Sequence, residues 1–306
     1  MARNLIEAQI VETRNGLARL QDLLAGLPRG QTMPFRIFRL LIVVSIVLFA
    51  GCGVQPVTPP SLTQASEPVE LTVFAAASLT EAFTELGQQF EADHSGVTVI
   101  FNLGASNQLA QQLGEGAPAD VFASANKKQM EVAIESGRIV SGTEQTFVRN
   151  RLVVIYPKDN PAGLAELKDL TKPGLRLVLA AKEVPVGQYA LDFLDKAAAD
   201  AAFGAAFKDS SVGNVVSYEE NVRAVLSKVA LGEADAGIVY TSDISGDGAD
   251  AVGRIDIPDA LNTIAMYPIA AVGDSAHLVL AQAFVDFVLS AQGQQILARY
   301  GFIPVK

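Results

Sequence analysis

Short apolar segments alternate with amphipathic helical segments from Leu71 to the end of the chain. Strands and helices in this order build sheets that are covered by helices. The sequence therefore predicts an α/β fold with largely parallel strands. The predicted strands are residues 71–75, 97–102, 121–124, 151–156, 176–180, 237–240 and 267–272.

The alternating part of the chain is longer than one modest domain needs, so we expect two lobes. We expect the chain to cross between them near Tyr156-Pro157 and Tyr267-Pro268. The final helix is predicted to be one long element from about Ala276 to Tyr300, ended by Gly301. The assigned bounds are residues 69–151 with 266–306 for lobe I and residues 152–265 for lobe II.

An export signal is predicted near the N-terminus. The apolar run 40–50 follows two arginines and is too short to span a bilayer comfortably, as in signal peptides. Residues 33–52 are therefore assigned to a lipoprotein-type signal peptide. Residues 1–32 form an uncertain N-terminal extension, and two interpretations stay open. Translation begins either at Met1, which gives a cytoplasmic extension, or at Met33, which leaves the extension untranslated.

Cys52 is the only cysteine of the chain. The preceding residues 49–51, Phe-Ala-Gly, resemble a bacterial lipobox, with Phe49 in the place where that motif usually carries leucine. Acylation would remove a free thiol, which is a liability in an exported protein, so Cys52 is the predicted lipid anchor. The alternative is a soluble protein with a stray cysteine. The Pro-rich residues 53–68 are predicted to form a linker from the membrane to the folded part.

The charge of the chain restricts its partners. A formal net charge of −10 and the lack of a basic run argue against nucleic acid. His94 and His277 are the only histidines and have no cysteine or carboxylate at ligand spacing, so we expect no metal cation and no cofactor. The acidic residues 243–250 lack the spacing of a calcium loop and are interpreted as a solvated loop. Arg223 either forms a salt bridge at the surface or lobe edge or directs its charge at the cleft.

Ser78 follows a predicted buried strand and opens a helical pattern. A hydroxyl together with the free N–H groups of a first helical turn forms an anion site, to which the helix dipole adds partial positive charge. The alternative is that Ser78-x-x-Glu81 is a capping box and the serine only caps the helix. Further neutral donors stand at a strand end or before a helix, at Ser106, residues 183–187, Asn221-Val222 and Tyr240. This repetition favours an anion site made of neutral donors.

Six segments, taken in order, resemble the periplasmic molybdate-binding proteins of ABC transporters. They are FAAASLTEAF at 74–83, GAPADVFASA at 116–125, VPVGQYA at 184–190, ENVRAVL at 220–226, GIVYTSD at 237–243 and RYGFIPV at 299–305. The resemblance implies a two-lobed periplasmic-binding-protein fold of type II. Each lobe is then a mostly parallel sheet flanked by helices, with the ligand in the cleft between the lobes.

The resemblance also implies the function and the partners. It describes an exported binding protein, periplasmic or on the outer face of the cytoplasmic membrane, which captures molybdate or tungstate. The anion is passed to the membrane subunit of an ABC permease. We expect this protein to be a monomer and not an enzyme.

The contacts to the oxyanion follow from the same resemblance. The expected donors are the hydroxyls of Ser78 and Ser106, the backbone N–H groups of Val186 and Val222, and the hydroxyl of Tyr240. Asn107 can share or replace the contact of Ser106, because the family often has a serine-rich run at this place. Val222 can contribute its N–H only if its helix begins near residues 220–221 and not with a capping box at 217–220, and we expect the later start.

Two other functions stay open. A receptor for another oxyanion or a small organic acid would share the fold and the partner but not the ligand. A serine hydrolase with Ser78 as nucleophile lacks a G-x-S-x-G turn and an evident base. Neutral donors at fixed positions favour a large dianion, because a smaller one such as sulfate cannot reach all of them at once.

Overall fold

Two β-sheets flanked by helices form the part of the chain that the computed structural model describes, residues 68–245 and 250–305. The predicted N-terminal extension, signal peptide, Cys52 anchor and all of the linker but Pro68 lie outside the described residues. We call the part built on the six-stranded sheet lobe I and the part built on the five-stranded sheet lobe II. The α/β, two-lobed prediction is confirmed.

The chain forms four strands of the first sheet, then all five strands of the second, and then returns to add two strands to the first. Lobe I contains β1 (Val69–Ala76), β2 (Val97–Gly104), β3 (Val121–Ala123), β4 (Gln145–Asn150), β10 (Ala265–Ala271) and β11 (Ile303–Pro304), in the spatial order β11-β4-β10-β3-β1-β2. Lobe II contains β5 (Leu152–Pro157), β6 (Leu177–Ala180), β7 (Val215–Glu219), β8 (Ala236–Tyr240) and β9 (Val252–Asp256), in the spatial order β7-β6-β8-β5-β9.

The helices follow the strands in both lobes. Those of lobe I are α1 (Thr80–Asp93), α2 (Ser106–Gly114), α3 (Lys127–Glu135), α7 (Leu278–Leu289) and α8 (Ala291–Arg299). Those of lobe II are α4 (Pro185–Ala199), α5 (Phe207–Gly213) and α6 (Val222–Ala230). Short 3₁₀ turns lie at Ala77–Leu79, Leu167–Thr171 and Thr241–Ile244.

Both sheets are mixed, and the parallel strands that the sequence predicts form one part of each. Strand β1 pairs in parallel with β2 and β3, and β6 with β7 and β8. Strands β4 and β11 pair antiparallel with their neighbours, as do β5 with β8 and β9, and β10 with β3 and β4. The parallel pairs are those linked by helical crossovers, which parallel pairing requires.

The chain crosses between the lobes at two places, and both predicted crossing points are wrong. The first crossing is at Arg151, between β4 and β5, and the second lies in residues 257–264, between β9 and β10. Pro157 instead ends β5, and Pro268 lies inside β10. The register of β10 shifts between Tyr267 and Pro268, because proline has no N–H to donate to the ladder.

A buried asparagine joins the two crossings. The Asn262 side chain accepts from the Leu152 N–H at 3.1 Å and donates to the Leu152 carbonyl at 2.9 Å. Its amide also donates to the carbonyl of Ile257 at 3.2 Å. These hydrogen bonds therefore hold the two connections against each other.

Helix α1 packs its apolar face into lobe I. Phe83, Leu86 and Phe90 on this face are all fully buried. Phe90 and Phe284 of α7 meet edge to face, with ring centroids 5.2 Å apart, so that helices α1 and α7 share one aromatic core.

The final helix is two helices, and the prediction of one continuous element is wrong. Ser290 has extended backbone angles, φ −66° and ψ 164°, and caps α8 by accepting from the Gly293 N–H at 3.1 Å. The turn is tight, because a Cβ on Gly293 would lie 2.4 Å from the Phe287 carbonyl oxygen. As predicted, Gly301 follows the last turn, with φ of +76°.

None of the helices in the described residues has the length and apolar content needed to cross a membrane.

Candidate functional site

A small cavity of about 20 Å³ lies where the two lobes meet. Lobe I contributes Ser78 and Ser106 to its lining, and lobe II contributes Val186, Val222 and Tyr240. Each of these residues is at most 4% exposed. The structure thus brings together five predicted donors that are far apart in the sequence.

Every residue that lines the cavity is uncharged. Helices α2, α4 and α6 begin at the cavity, and the turn Ala77–Leu79 leads into the start of α1. Free N–H groups at helix starts carry partial positive charge and favour an anion. The cavity therefore offers polarity without a formal charge.

Ser78 lies in the 3₁₀ turn between β1 and α1, and the capping-box interpretation of this serine is wrong. The N-cap of α1 is Leu79, and no side chain caps it. The Ser78 Oγ is instead 2.9 Å from the hydroxyl of Tyr267. The 3₁₀ turn places Ser78 before the N-cap of α1, and the Glu81 carboxylate pairs with Arg223 and not with Ser78.

Ser106 is the first residue of α2, and its hydroxyl does not cap the helix either. Its Oγ accepts a hydrogen bond from the Ala125 N–H at 2.9 Å. One acceptor site of the hydroxyl is thereby occupied, and its proton is left to donate elsewhere. Asn107 follows Ser106 but does not line the cavity, and its Oδ1 has no hydrogen-bond partner among the described residues.

The start of α4 lies unusually close to strand β6. Pro185 is its first residue and has no N–H, so Val186 provides the first free N–H of the helix. A Cβ on Gly187 would lie 2.1 Å from the carbonyl oxygen of Ala181. Only glycine permits this approach, which places the helix start at the cavity.

Helix α6 begins at Val222, and the prediction of this later start is confirmed. The Asn221 Oδ1 caps the helix by accepting from the Ala224 N–H at 3.0 Å. The alternative capping serine, Ser217, lies in β7. The Val222 N–H therefore belongs to the first turn, where N–H groups have no partner within the helix.

Tyr240 ends strand β8 and is 1% exposed. Its hydroxyl has no hydrogen-bond partner among the described residues. Burial raises the pKa of Tyr240 well above its ordinary value, so the hydroxyl keeps its proton. A buried hydroxyl without a partner costs about 1–3 kcal/mol, a cost that an anion in the cavity would remove.

Asp243 is a buried carboxyl that sequence reasoning misplaced in a solvated loop. It lies in the turn Thr241–Ile244 and is 1% exposed, and its Oδ2 accepts from the Tyr240 N–H at 2.9 Å. Burial raises the pKa of Asp243 to about 7, while the hydrogen bond from Tyr240 and the charge of Arg223 act in the opposite direction. The sequence feature that could have indicated its burial is its position, three residues after the end of a buried strand.

Arg223 forms the predicted salt bridge, and this pair connects the lobes. Its guanidinium binds the carboxylate of Glu81, which joins α6 of lobe II to α1 of lobe I. Both side chains are partly exposed, at 31% and 26%. Because Glu81 balances the charge of Arg223, the pair adds no net charge beside the cavity.

The described residues contain no cluster of three or more histidine, cysteine or carboxylate groups fit to hold a metal ion. The imidazole of His94 contacts Phe90 and belongs to no such cluster among the described residues. Its Nδ1 is 2.8 Å from the Phe90 carbonyl oxygen, and its ring stacks on that of Phe90.

Known proteins resemble this chain over nearly all of its described length. The family of bacterial extracellular solute-binding proteins matches residues 71–303. The molybdate-binding protein ModA of Mycobacterium tuberculosis is 38% identical over 264 residues, which cover 85% of this chain and 95% of that protein.

Two solved structures show the same fold at low sequence identity. The periplasmic molybdate-binding protein of Azotobacter vinelandii has a TM-score of 0.67 at 21% identity, over 77% of this chain and all of that one. The sulfate-binding protein SubI of Mycobacterium tuberculosis has a TM-score of 0.69 at 22% identity, over 78% of this chain and 88% of that one. The fold is therefore common to receptors of different oxyanions.

Proposed function

Because this chain belongs to the family of bacterial extracellular solute-binding proteins, we propose that it captures molybdate, and tungstate with it, for import by an ABC transporter. It is a binding protein and not an enzyme. The observation that carries the proposal is the convergence of Ser78, Ser106, Val186, Val222 and Tyr240 on one uncharged cavity. The 38% identical relative is a molybdate-binding protein, which names the anion.

The chemistry of the cavity suits a dianion. Hydrogen bonds to a charged acceptor each contribute about 1.5–3 kcal/mol, so several together can offset the cost of dehydrating the anion. Serine and tyrosine hydroxyls and backbone N–H groups stay protonated near neutral pH. Since no charged side chain lines the cavity, the fit of the anion to fixed donors determines which anion binds.

The size of the cavity argues against an organic ligand. Pockets for drug-sized molecules measure roughly 300–1,000 Å³. The cavity between the lobes measures about 20 Å³, which leaves room for an ion of a few atoms only. The fold does not separate molybdate from sulfate, because receptors of both share it.

Titration calorimetry of the purified protein with molybdate, tungstate, sulfate and phosphate in one buffer tests the proposal. We expect one-to-one binding of molybdate and tungstate, and no heat from sulfate or phosphate. Binding of sulfate alone would make this protein a receptor for a smaller oxyanion. Silence from all four anions would remove the oxyanion function altogether.

The lobe bounds belong to the same proposal. Residues 69–151 with 266–306 form lobe I, and residues 152–265 form lobe II, which opens and closes on the anion. The sheet order supports these bounds to within one residue, because the chain leaves the first sheet after Asn150 and returns to it at Ala265. A monomer, closed on its anion, would present both lobes to the membrane subunit of the permease.

An extracytoplasmic location accords with the family, and we further propose a lipid anchor on Cys52. The lipobox-like residues before this cysteine and the Pro-rich segment after it support the anchor. Labelling of cells with a radioactive fatty acid tests it. We expect label in the wild-type protein and none in Cys52→Ala, whereas equal labelling of both would disprove the anchor.

A further inference from the structure

A second tyrosine lies directly behind the cavity. Tyr267 of β10 is fully buried and does not line the cavity itself. Its hydroxyl is 2.9 Å from the Oγ of Ser78 and 3.3 Å from the Nδ2 of Asn150, the last residue of β4. Asn150, Tyr267 and Ser78 thus form a chain of hydrogen bonds that ends at the cavity.

The orientation of the Asn150 amide is fixed by its other partners. Its Oδ1 accepts from the Arg151 N–H at 2.9 Å and from the Thr241 hydroxyl at 3.1 Å. Its Nδ2 donates to the Ser242 Oγ at 2.8 Å. A flipped amide would direct its NH₂ group at the Arg151 N–H, which is also a donor. The Nδ2 therefore faces Tyr267.

The direction of the chain follows from this amide. An amide NH₂ only donates, so the Tyr267 oxygen accepts from Asn150. The buried proton of Tyr267 needs an acceptor of its own, and among the described residues the Ser78 Oγ is the one within hydrogen-bond distance. Tyr267 therefore donates to Ser78, because the opposite direction would leave the tyrosine proton without an acceptor. The proton of Ser78 is turned away from Tyr267 and is free for an acceptor in the cavity.

We propose that Tyr267 and Asn150 are positioning residues that hold the Ser78 hydroxyl as a donor toward the bound oxyanion. This inference rests on the proposed function, because it concerns the same cavity. Burial raises the pKa of Tyr267, so that its hydroxyl stays protonated throughout the neutral range. Without this chain, the Ser78 hydroxyl would rotate freely and lose orientation entropy when it binds the anion.

A double-mutant cycle on molybdate binding tests the inference. Tyr267→Phe and Ser78→Ala are prepared singly and together, and Kd is measured by calorimetry. We expect Tyr267→Phe to raise Kd about tenfold in the wild-type background and less than about twofold in the Ser78→Ala background. A purely structural role of Tyr267 would give the same increase in both backgrounds and would overturn the inference.

Ser106→Ala is the matched control, because this serine also lines the cavity but binds Ala125 and not Tyr267. In this background Tyr267→Phe should keep its full tenfold effect. Loss of the effect there as well would show a general collapse of the cavity and overturn the inference.

Asn150→Asp provides a second route if Tyr267→Phe does not fold. A carboxylate accepts from the Tyr267 hydroxyl, so Tyr267 would no longer donate to Ser78. The increase in Kd should again be larger in the wild-type than in the Ser78→Ala background, and equal increases would reflect only the added charge. If the wild-type protein binds no molybdate, the proposed function fails; if it binds and the cycles show no coupling, only this inference fails.

Discussion

The Tyr240 hydroxyl is a buried polar group at the cavity. Because it makes no hydrogen bond among the described residues, removing this hydroxyl should not lower the stability of the fold. We expect Tyr240→Phe to raise the Kd for molybdate about tenfold or more, since one hydrogen bond to a charged acceptor is lost. The melting temperature without anion should stay equal or rise. A fall in melting temperature with unchanged Kd would show a structural hydroxyl instead.

Asp243 makes stability depend on pH. Its pKa is raised from 3.8 to about 7, so the native state holds the proton to a higher pH than the unfolded chain does. Below about pH 4 the carboxyl is protonated in both states and does not lower the free energy of unfolding. As the pH rises to about 7, the unfolded chain loses this proton first, and the free energy of unfolding falls.

Asp243→Asn removes this cost while keeping an oxygen for the Tyr240 N–H. We expect the variant to gain stability over the wild type at about pH 8 and to gain much less at about pH 5. Arg223 and Glu81 are the charged groups whose fields act on this carboxyl. Urea unfolding of both proteins at the two pH values measures the difference, and a gain independent of pH would contradict the raised pKa.

The sequence reveals donors more readily than the groups that orient them. Ser78 and Ser106 stand out because each follows a strand and precedes a helix. Tyr267 and Asn150 do not, because their partners lie 189 and 117 residues away in the chain. Asp243 was misjudged for a related reason, since acidic and glycine-rich segments are usually solvated and only the fold buries this one.

Helix starts are the elements that turn a neutral cavity into an anion site. Asn221 fixes the start of α6 at the cavity, and Asn126 caps α3 in the same way, accepting from the Gln129 N–H at 2.9 Å. Asn126 does not line the cavity. The two asparagines therefore form a matched pair for separating stability from binding.

We expect Asn221→Ala and Asn126→Ala each to lower the free energy of unfolding by about 1 kcal/mol, the usual value of an N-cap. Only Asn221→Ala should also raise the Kd for molybdate, because the N–H of Val222 loses its fixed position. Denaturant unfolding and calorimetry on both variants test this. Equal effects on Kd would show that the start of α6 has no particular part in binding.

Most of the strands that the sequence predicts are buried on both faces, although β2, which exposes Ile100, was predicted as well. Strands β5, β6 and β8 are continuous apolar runs and β1 is apolar from Val73 onward, whereas β4, β7, β9 and β11 were not recognised. Strand β7 exposes Val216 and Tyr218, and β11 has only two residues. The break between α7 and α8 was missed because the apolar period continues across Ser290, and only the local cap reveals the turn.

At the scale of the molecule, the pair Glu81–Arg223 holds the two lobes together beside the cavity. Arg299 forms a comparable pair with Glu85 one turn further along α1, but both partners belong to lobe I. We expect Arg223→Gln to raise the Kd for molybdate about threefold, as for a partly exposed ion pair, and Arg299→Gln to leave it unchanged.

Calorimetry at low and high salt measures both arginine variants. The wild-type advantage over Arg223→Gln should shrink as salt increases. Equal Kd values for wild type and Arg223→Gln at low salt would mean that the pair does not favour the closed form.

Asn262 fastens the two interlobe connections to each other, so the lobes have little freedom to slide or twist independently. We therefore expect the proposed opening of the lobes to follow a single rotation, which one distance across the cleft would describe. A fluorophore on each lobe would convert that rotation into an optical signal without a change to the cavity. The same asparagine that narrows the motion thus makes this protein a suitable framework for a reagentless sensor.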